Sequence, residues 1–331
     1  MNLITGGTGL VGTHIIMHLL NLNEEVKALY KNEKSIEKTK LFFKDNNKLD
    51  LFNKINWVFG DVIDIPSLTD AFVDVKYVYH CAALISFDPN DEESLRKVNI
   101  EGTANMVNLS LSNTVEKFCF ISSIAALGDL PANETVITEK TEWNPEKPHS
   151  DYALSKHGAE MEVWRGLQEG LNCFIVNPGV ILGSGFWNTG SGKIFKKVAN
   201  GNSFYTLGST GFVTVDDVVK ATYTIMKSND SGEKYILVAE NLIYKDVLIW
   251  VADALNAKKP TIYARPFFTE IVWKLDLVLN KLFLFKRSMS RPMAKSLHSK
   301  DTYSNLLIIE RHNFKFSSVK ESIYKIAKNY K

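Results

Sequence analysis

The chain has 331 residues, of which 45% are hydrophobic and 23% charged, with a formal net charge of +2. That balance fits a globular chain of one large domain, or one with a smaller lobe, and supplies no basic field for binding nucleic acid. The three cysteines, Cys81, Cys119 and Cys173, each sit in a short apolar run. An odd count without paired spacing argues against a disulfide framework or a metal site, and points to core residues in a reducing compartment.

From the amino end, MNLITGGTGL shows no basic stretch ahead of an apolar run. No signal peptide is expected, and the expected location is cytoplasmic. Strands are predicted at Asn2–Thr5, Val26–Tyr30, Asn56–Phe59, Tyr77–Cys81, Phe118–Ser122 and Cys173–Asn177. Helices fit between them at about residues 10–22, 33–44, 67–74, 92–112 and 151–169. Apolar strands alternating with amphipathic helices predict an α/β fold, a doubly wound parallel sheet covered on both faces. Ligands of such sheets bind beyond the carboxyl ends of the strands.

After residue 178 the rhythm breaks, with Gly183, Gly185, Gly190 and Gly192 in one loop-like stretch. Helices are expected at about 193–200, 216–228, 244–257, 266–286 and 317–330, and short strands near 204–207 and 234–238. The division drawn is a nucleotide-binding domain, 1–178, and a smaller, mostly helical substrate lobe, 179–331, some of which returns to the main sheet. The longest apolar stretch, Phe267 to Phe285, is interrupted by Glu270, Lys274, Asp276 and Lys281. It reads as an amphipathic helix and not a membrane span. Packing on the lobe, covering a substrate mouth and touching a membrane surface are its three readings.

Thr5-Gly6-Gly7-Thr8-Gly9-Leu10-Val11-Gly12 follows a strand and opens a helix. Gly6 permits a tight turn, Gly9 lets backbone approach a pyrophosphate, and Gly12 lets helix and strand pack closely. The helix N-terminus offers free N–H groups and positive dipole to phosphates. An acidic residue for a ribose 2′-hydroxyl is expected at the end of the second strand, but Tyr30-Lys31 stand there. A cation favours the 2′-phosphate of NADP, so NADP is preferred over NAD. A solvated surface lysine is the competing reading.

Asp151-Tyr152-Ala153-Leu154-Ser155-Lys156 begins a helix that sets Tyr152 and Lys156 one turn apart on one face. The ammonium is expected to lower the phenol toward the working range and make it a general acid for a carbonyl oxygen. Alone, the pair is a common helix contact. The strand Phe118-Cys119-Phe120-Ile121-Ser122-Ser123 ends in two hydroxyls at the same edge, where Ser123 is placed to bond the reacting oxygen.

These motifs, in this order, resemble the extended short-chain dehydrogenases/reductases, the NAD(P)-dependent epimerase/dehydratase family, over roughly residues 1–240. Thr5 to Gly12 resembles the TGxxGxxG loop, Asp61-Val62 the acidic pair at adenine, His80-Cys81-Ala82-Ala83 the HxAA turn, and Asn99 to Thr103 the NxxGT motif. Ser123, Tyr152 and Lys156 match the catalytic triad, and Asn177-Pro178-Gly179 the turn, continued by Val180, that meets the nicotinamide amide. The resemblance implies a Rossmann domain, with Tyr152 exchanging the proton during hydride transfer and Lys156 holding the nicotinamide ribose. It implies that Ser123 polarises the carbonyl, that Asn99 belongs to the catalytic set, and that Ser122 lies at the cofactor. Asp61 reads equally as a helix cap, Asn99 as a packing amide, His80 as a buried turn-former, and Asp216 and Asp217 as capping residues.

Three activities compete: reductase of a ketone or aldehyde, nucleotide-sugar epimerase or dehydratase, and non-catalytic NAD(P)-binding regulator. The intact Ser123, Tyr152 and Lys156 weaken the last. Residues 179–215 hold Lys193, Lys196 and Lys197 but no arginine for a sugar diphosphate, and Ile124-Ala125 stand where dehydratases carry acids. The expected pocket is apolar, with Ile85, Phe87, Phe186, Trp187, Phe204 and Tyr205, and suits a hydrophobic small-molecule carbonyl or alcohol. Similarity to family dimers implies a homodimer through the helices near 92–112 and 151–169, with Met161 and Trp164 at the contact.

Overall fold

The computed structural model describes residues 1–283 and 290–330. Seven strands make the main sheet: β1 (Asn2–Thr5), β2 (Val26–Tyr30), β3 (Asn56–Phe59), β4 (Tyr77–His80), β5 (Lys117–Ile121), β6 (Cys173–Pro178) and β10 (Glu233–Leu237). All are parallel, in the order β10-β6-β5-β4-β1-β2-β3. The central strands β1, β5 and β6 are buried at every position, which is why they read as continuous apolar runs. Side chains alternate between the two faces. Ile4, Cys119 and Val176 pack toward one layer with Ile16 and Val218, while Leu3, Phe118, Phe120 and Ile175 pack toward the other with Met106 and Val163.

The six strands predicted in the first half form within a residue of their expected ends, and the strand near 234–238 is β10, which pairs with β6. The chain thus returns from the lobe to the main sheet. The helix expected over 92–112 is three pieces: α-helical Glu92–Leu95, a π-helical stretch Arg96–Glu101, and α-helical Gly102–Ser112.

The lobe carries β7 (Val180–Leu182), β9 (Ser209–Thr214) and β11 (Glu240–Ile243) in one small sheet, and β8 (Phe204–Tyr205) paired with β12 (Ile262–Tyr263) in another. Its own core joins Phe195, Phe212, Val247, Val251, Val319 and Ile323. Helices at Leu49–Phe52, Arg291–Ser296 and Leu306–His312 were not foreseen; the first two span only 4 and 6 residues, too short to show a period. The helix beginning at Asp216 in the sequence reading is capped by Thr214, whose hydroxyl takes the Asp217 amide. Asp217 instead pins the backbone and hydroxyl of Ser317, each at 2.9 Å. The apolar stretch from Phe267 is helical over Pro266–Phe283, and residues 284 and 285 lie outside the described residues. No described helix is long and apolar enough to cross a membrane.

Candidate active site

From β1 the chain steps outward to β2 and β3, then crosses back to β4, β5 and β6, so a crevice opens where β1 and β4 end. Thr5 ties the two ends together: its Oγ1 accepts from the amides of Cys81 and Ala82 at 3.1 and 3.0 Å. Both lone pairs are then used, so its proton goes to His80 Nδ1 at 2.7 Å. His80 therefore carries its own proton on Nε2 and donates it to Thr103 Oγ1 at 3.0 Å, and Thr103 donates to the Asn99 carbonyl at 2.6 Å. Burial holds the His80 imidazole down at about 3, so it is neutral and structural, as its turn-forming reading requires.

The loop after β1 fits a dinucleotide pyrophosphate. Gly6 has φ +63°, and a Cβ there would meet the Ala82 amide at 2.8 Å. A Cβ on Gly12 would lie 2.3 Å from the Gly6 carbonyl, and one on Gly7 3.1 Å from Ala28 and Ile16. Gly9 differs: a Cβ would meet only the Gly6 oxygen, at 3.3 Å, and otherwise point into open space. Position 9 is thus the loop glycine least hindered by the protein, as expected where backbone approaches a ligand. The helix Leu10–Asn21 starts at Gly9 without a side-chain cap or an acid in its first turn, leaving amide groups aimed at an anion. Leu10 and Val11 pack onto the core, anchoring that first turn.

The candidate reacting groups come from the loop after β5 and the helix Asp151–Gln168, which Ser150 caps by accepting from the Ala153 amide. Tyr152 and Lys156 are both buried. Burial pushes the Tyr152 phenol up to about 12, and the Ser123 hydroxyl opposes that rise. Lys156 Nζ donates to the Ile121 carbonyl at 2.8 Å and sits 4.6 Å from the Phe120 ring centroid. Burial lowers Lys156 to about 8, against the opposing pull of Glu160 and Cys81. The expected lowering of the phenol by the ammonium is therefore not what this arrangement gives: desolvation dominates at Tyr152, and the ammonium is engaged on the β5 carbonyl.

Asn99 lies in the π-helical stretch and is spent on backbone. Its Oδ1 accepts from the Leu84 amide at 2.7 Å, and its Nδ2 donates to the Leu84 carbonyl and to Ser155 Oγ. It fixes the strand-end loop through Ala83 to Leu84, as its packing reading has it. At the end of β2, Tyr30 packs edge-on against Trp57 and Phe59. Exposed Lys31 pairs with Asp61 Oδ2 at 2.5 Å, while Asp61 Oδ1 takes the Ile63 amide. Val62 is buried against Gly102. Beyond β6, Pro178 leads to Gly179, whose Cβ position lies 2.4 Å from the Gly211 carbonyl, and Val180 pairs with Phe212 in β7–β9.

Of the predicted pocket residues, Phe87 stands 5.7 Å from the Tyr152 ring, centroid to centroid, and with Ile85 is exposed. Phe186 is instead buried against Phe42 and His14, closing the first helix onto the core. Trp187 packs on Phe195 and Tyr330 inside the lobe. Phe204 is an exposed residue of β8 and Tyr205 stacks on Tyr263. Apolar composition alone did not separate pocket from packing.

A buried carboxylate was missed. Glu160 Oε1 accepts from Ser122 Oγ at 2.5 Å and from Asn177 Nδ2 at 2.6 Å, and Asn177 also donates to the Ser123 carbonyl. Burial raises its pKa, opposed by Ser122, Lys234, Asn177 and Lys156. The Ser122 hydroxyl, which the resemblance places at the cofactor, is thus turned onto Glu160. The signal was the spacing of Tyr152, Lys156 and Glu160, each four residues on and one helical face.

A parallel sheet opened at its switch point, with a glycine loop on one side and a buried tyrosine and lysine on the other, places the chain among the Rossmann-type enzymes that use NAD or NADP. A model of the NAD dependent epimerase/dehydratase family matches residues 2–239, and the chain belongs to that family. It is similar to sterol demethylase protein B of Methylococcus capsulatus, 26% identical over 288 residues that cover 86% of this chain and 84% of the relative. It is also similar to a putative dihydroflavonol 4-reductase of Synechocystis, 28% identical over 302 residues that cover 88% of this chain and 82% of that one. Among solved structures, UDP-glucose 4-epimerase of Thermus thermophilus in complex with NAD shares the fold, with a TM-score of 0.73 at 21% identity over 99% of this chain and 98% of that one.

Proposed function

We propose that this chain is an NAD(P)H-dependent reductase of a ketone or aldehyde on a fairly apolar small molecule, or the NAD(P)-dependent dehydrogenase of the corresponding alcohol. The observation that carries it is the buried phenol of Tyr152, with the Ser123 hydroxyl opposing its rise and the exposed ring of Phe87 5.7 Å away, centroid to centroid. A proton donor and a second hydrogen-bond donor stand together beside an apolar wall, which suits a carbonyl carried on a hydrophobic frame. The bound nicotinamide would supply or take the hydride.

In this reading Tyr152 gives the proton to the carbonyl oxygen. A phenol held near 12 is fully protonated at neutral pH, so the donor form is the one present. Ser123 polarises the oxygen and steadies charge developing on it. Lys156 holds the ribose and carries charge up to about pH 8. The glycine loop, with Ala82, Gly179 and Val180 at neighbouring strand ends, holds the rest of the cofactor. Lys31, exposed at the end of β2, favours NADP over NAD.

Tyr152→Phe tests the reading. NADPH oxidation across a panel of apolar carbonyl compounds should fall about 10²–10⁴-fold, with cofactor affinity nearly unchanged. Unchanged turnover would sink the mechanism. Tight binding of UDP-sugars, with no carbonyl turnover in the unaltered protein, would move the reading to a nucleotide-sugar epimerase.

A further inference from the structure

We propose that the outward face of the helix Pro266–Phe283 docks this protein onto the surface of an anionic lipid bilayer. The helix has 18 residues, about 27 Å of length. Along it Phe267, Phe268, Ile271, Val272, Leu275, Val278 and Leu279 are exposed, from 39% at Ile271 to 69% at Phe267. At 100° per residue these seven fall within an arc of about 140°. On the opposite side Thr269 is buried, and its Oγ1 bonds His298 Nε2 at 2.9 Å, while Glu270 and Lys274 pair with each other along the helix at 3.4 Å. A surface helix of a globular domain does the reverse, burying its apolar stripe and wetting its polar one. Just ahead of the helix, Phe204 and Ile262, paired across β8 and β12, are 57% and 48% exposed.

Charge selects the occupant. Between residues 258 and 300, leaving aside 280–289, there are seven Lys or Arg and two acidic residues, in a chain whose net charge is only +2. All seven cations are exposed, Arg265, Lys274, Arg291 and Lys295 among them. Two of the seven, Lys259 and Lys274, pair with Asp253 and Glu270, which leaves the other five without an ion pair among the described residues. An exposed apolar stripe in a cation-rich segment suits the interface of an anionic membrane, its apolar side chains in the acyl boundary and its cations at the headgroups. A second copy meeting this face by two-fold symmetry would set the same excess of positive charge against itself. The inference does not depend on the reductase reading, because binding is measured without substrate.

The test is co-sedimentation of the full chain with vesicles of phosphatidylcholine alone and with about 30% phosphatidylserine. Binding should require phosphatidylserine and weaken as salt is raised. Phe268→Glu with Leu275→Glu, both at exposed positions, should weaken it at least about tenfold without lowering Tm. Arg291→Glu with Lys295→Glu should weaken it about fivefold per charge. Absence of binding to either vesicle, or full binding by the Phe268→Glu, Leu275→Glu protein, would overturn the proposal. So would light scattering that shows a dimer dissolved by those two substitutions, together with no vesicle binding, since the face would then belong to a second copy.

Discussion

His80 shows how a single buried residue couples the two halves of the nucleotide crevice. Its Nδ1 accepts a hydrogen bond from Thr5 at the end of β1 and its Nε2 donates one to Thr103 on the helix behind. This relay works only with neutral imidazole, since a protonated ring would lose its acceptor. The unfolded chain takes up that proton below about pH 6.5, whereas native His80 resists it down to about 3. The unfolded state therefore binds more protons between those values, so stability is full above pH 6.5 and drains as pH falls toward 3. The loss is on the order of 4 kcal/mol across the window. Tm measured from pH 7 to pH 4 should fall in the unaltered protein. In His80→Gln it should start lower and fall less over the same range; parallel curves would refute the assignment.

At the scale of elements, the β1 loop separates glycines the fold needs from one the ligand needs. Gly12→Ala drives a Cβ into the Gly6 carbonyl and should cost about 1–3 kcal/mol, seen as a lower Tm. Gly9→Ala has ordinary extended backbone, and its Cβ would meet a single atom, the Gly6 carbonyl oxygen at 3.3 Å. It should lower Tm less than Gly12→Ala does while weakening NADPH about tenfold or more in a fluorescence titration. Equal effects of the two on Tm would mean that position 9 is structural. The second element that bears on the cofactor is the end of β2. Lys31→Asp replaces the cation and ends its pair with Asp61. The ratio of NADPH to NADH affinity should shift toward NADH; an unchanged ratio would remove Lys31 from cofactor choice.

For the whole molecule, the helices Gly102–Ser112 and Asp151–Gln168 pack against each other on one face of the sheet. On the second of them Leu154 and Met161, seven residues apart, are exposed, whereas Trp164 is partly buried against the core. A homodimer through this pair of helices is our proposal, and Met161→Glu should shift the mass in solution from dimer to monomer. A mass unaffected by the substitution would place any dimer contact elsewhere.

The strand–helix alternation, the order of the motifs and the glycine loop could all be read from the sequence, because each rests on local period or spacing. β1 to β6 were legible as apolar runs for that reason. The short strands of the lobe, β7, β9 and β11, were not, since their partners lie far apart in the chain and pairing alone makes them strands. Among the candidate site residues, Tyr152, Lys156 and Ser123 were singled out by spacing and position. What acts on each of them was settled by tertiary structure: burial raises the Tyr152 phenol, and the carbonyl of Ile121 engages Lys156. The same holds for Phe186, an apolar residue whose place beneath the first helix rather than in a pocket depends on Phe42 and His14. Sequence determined which groups this protein brings to one edge of a parallel sheet. Tertiary structure decided which stay free to act, because desolvation and hydrogen-bond partners arise from residues distant in the chain.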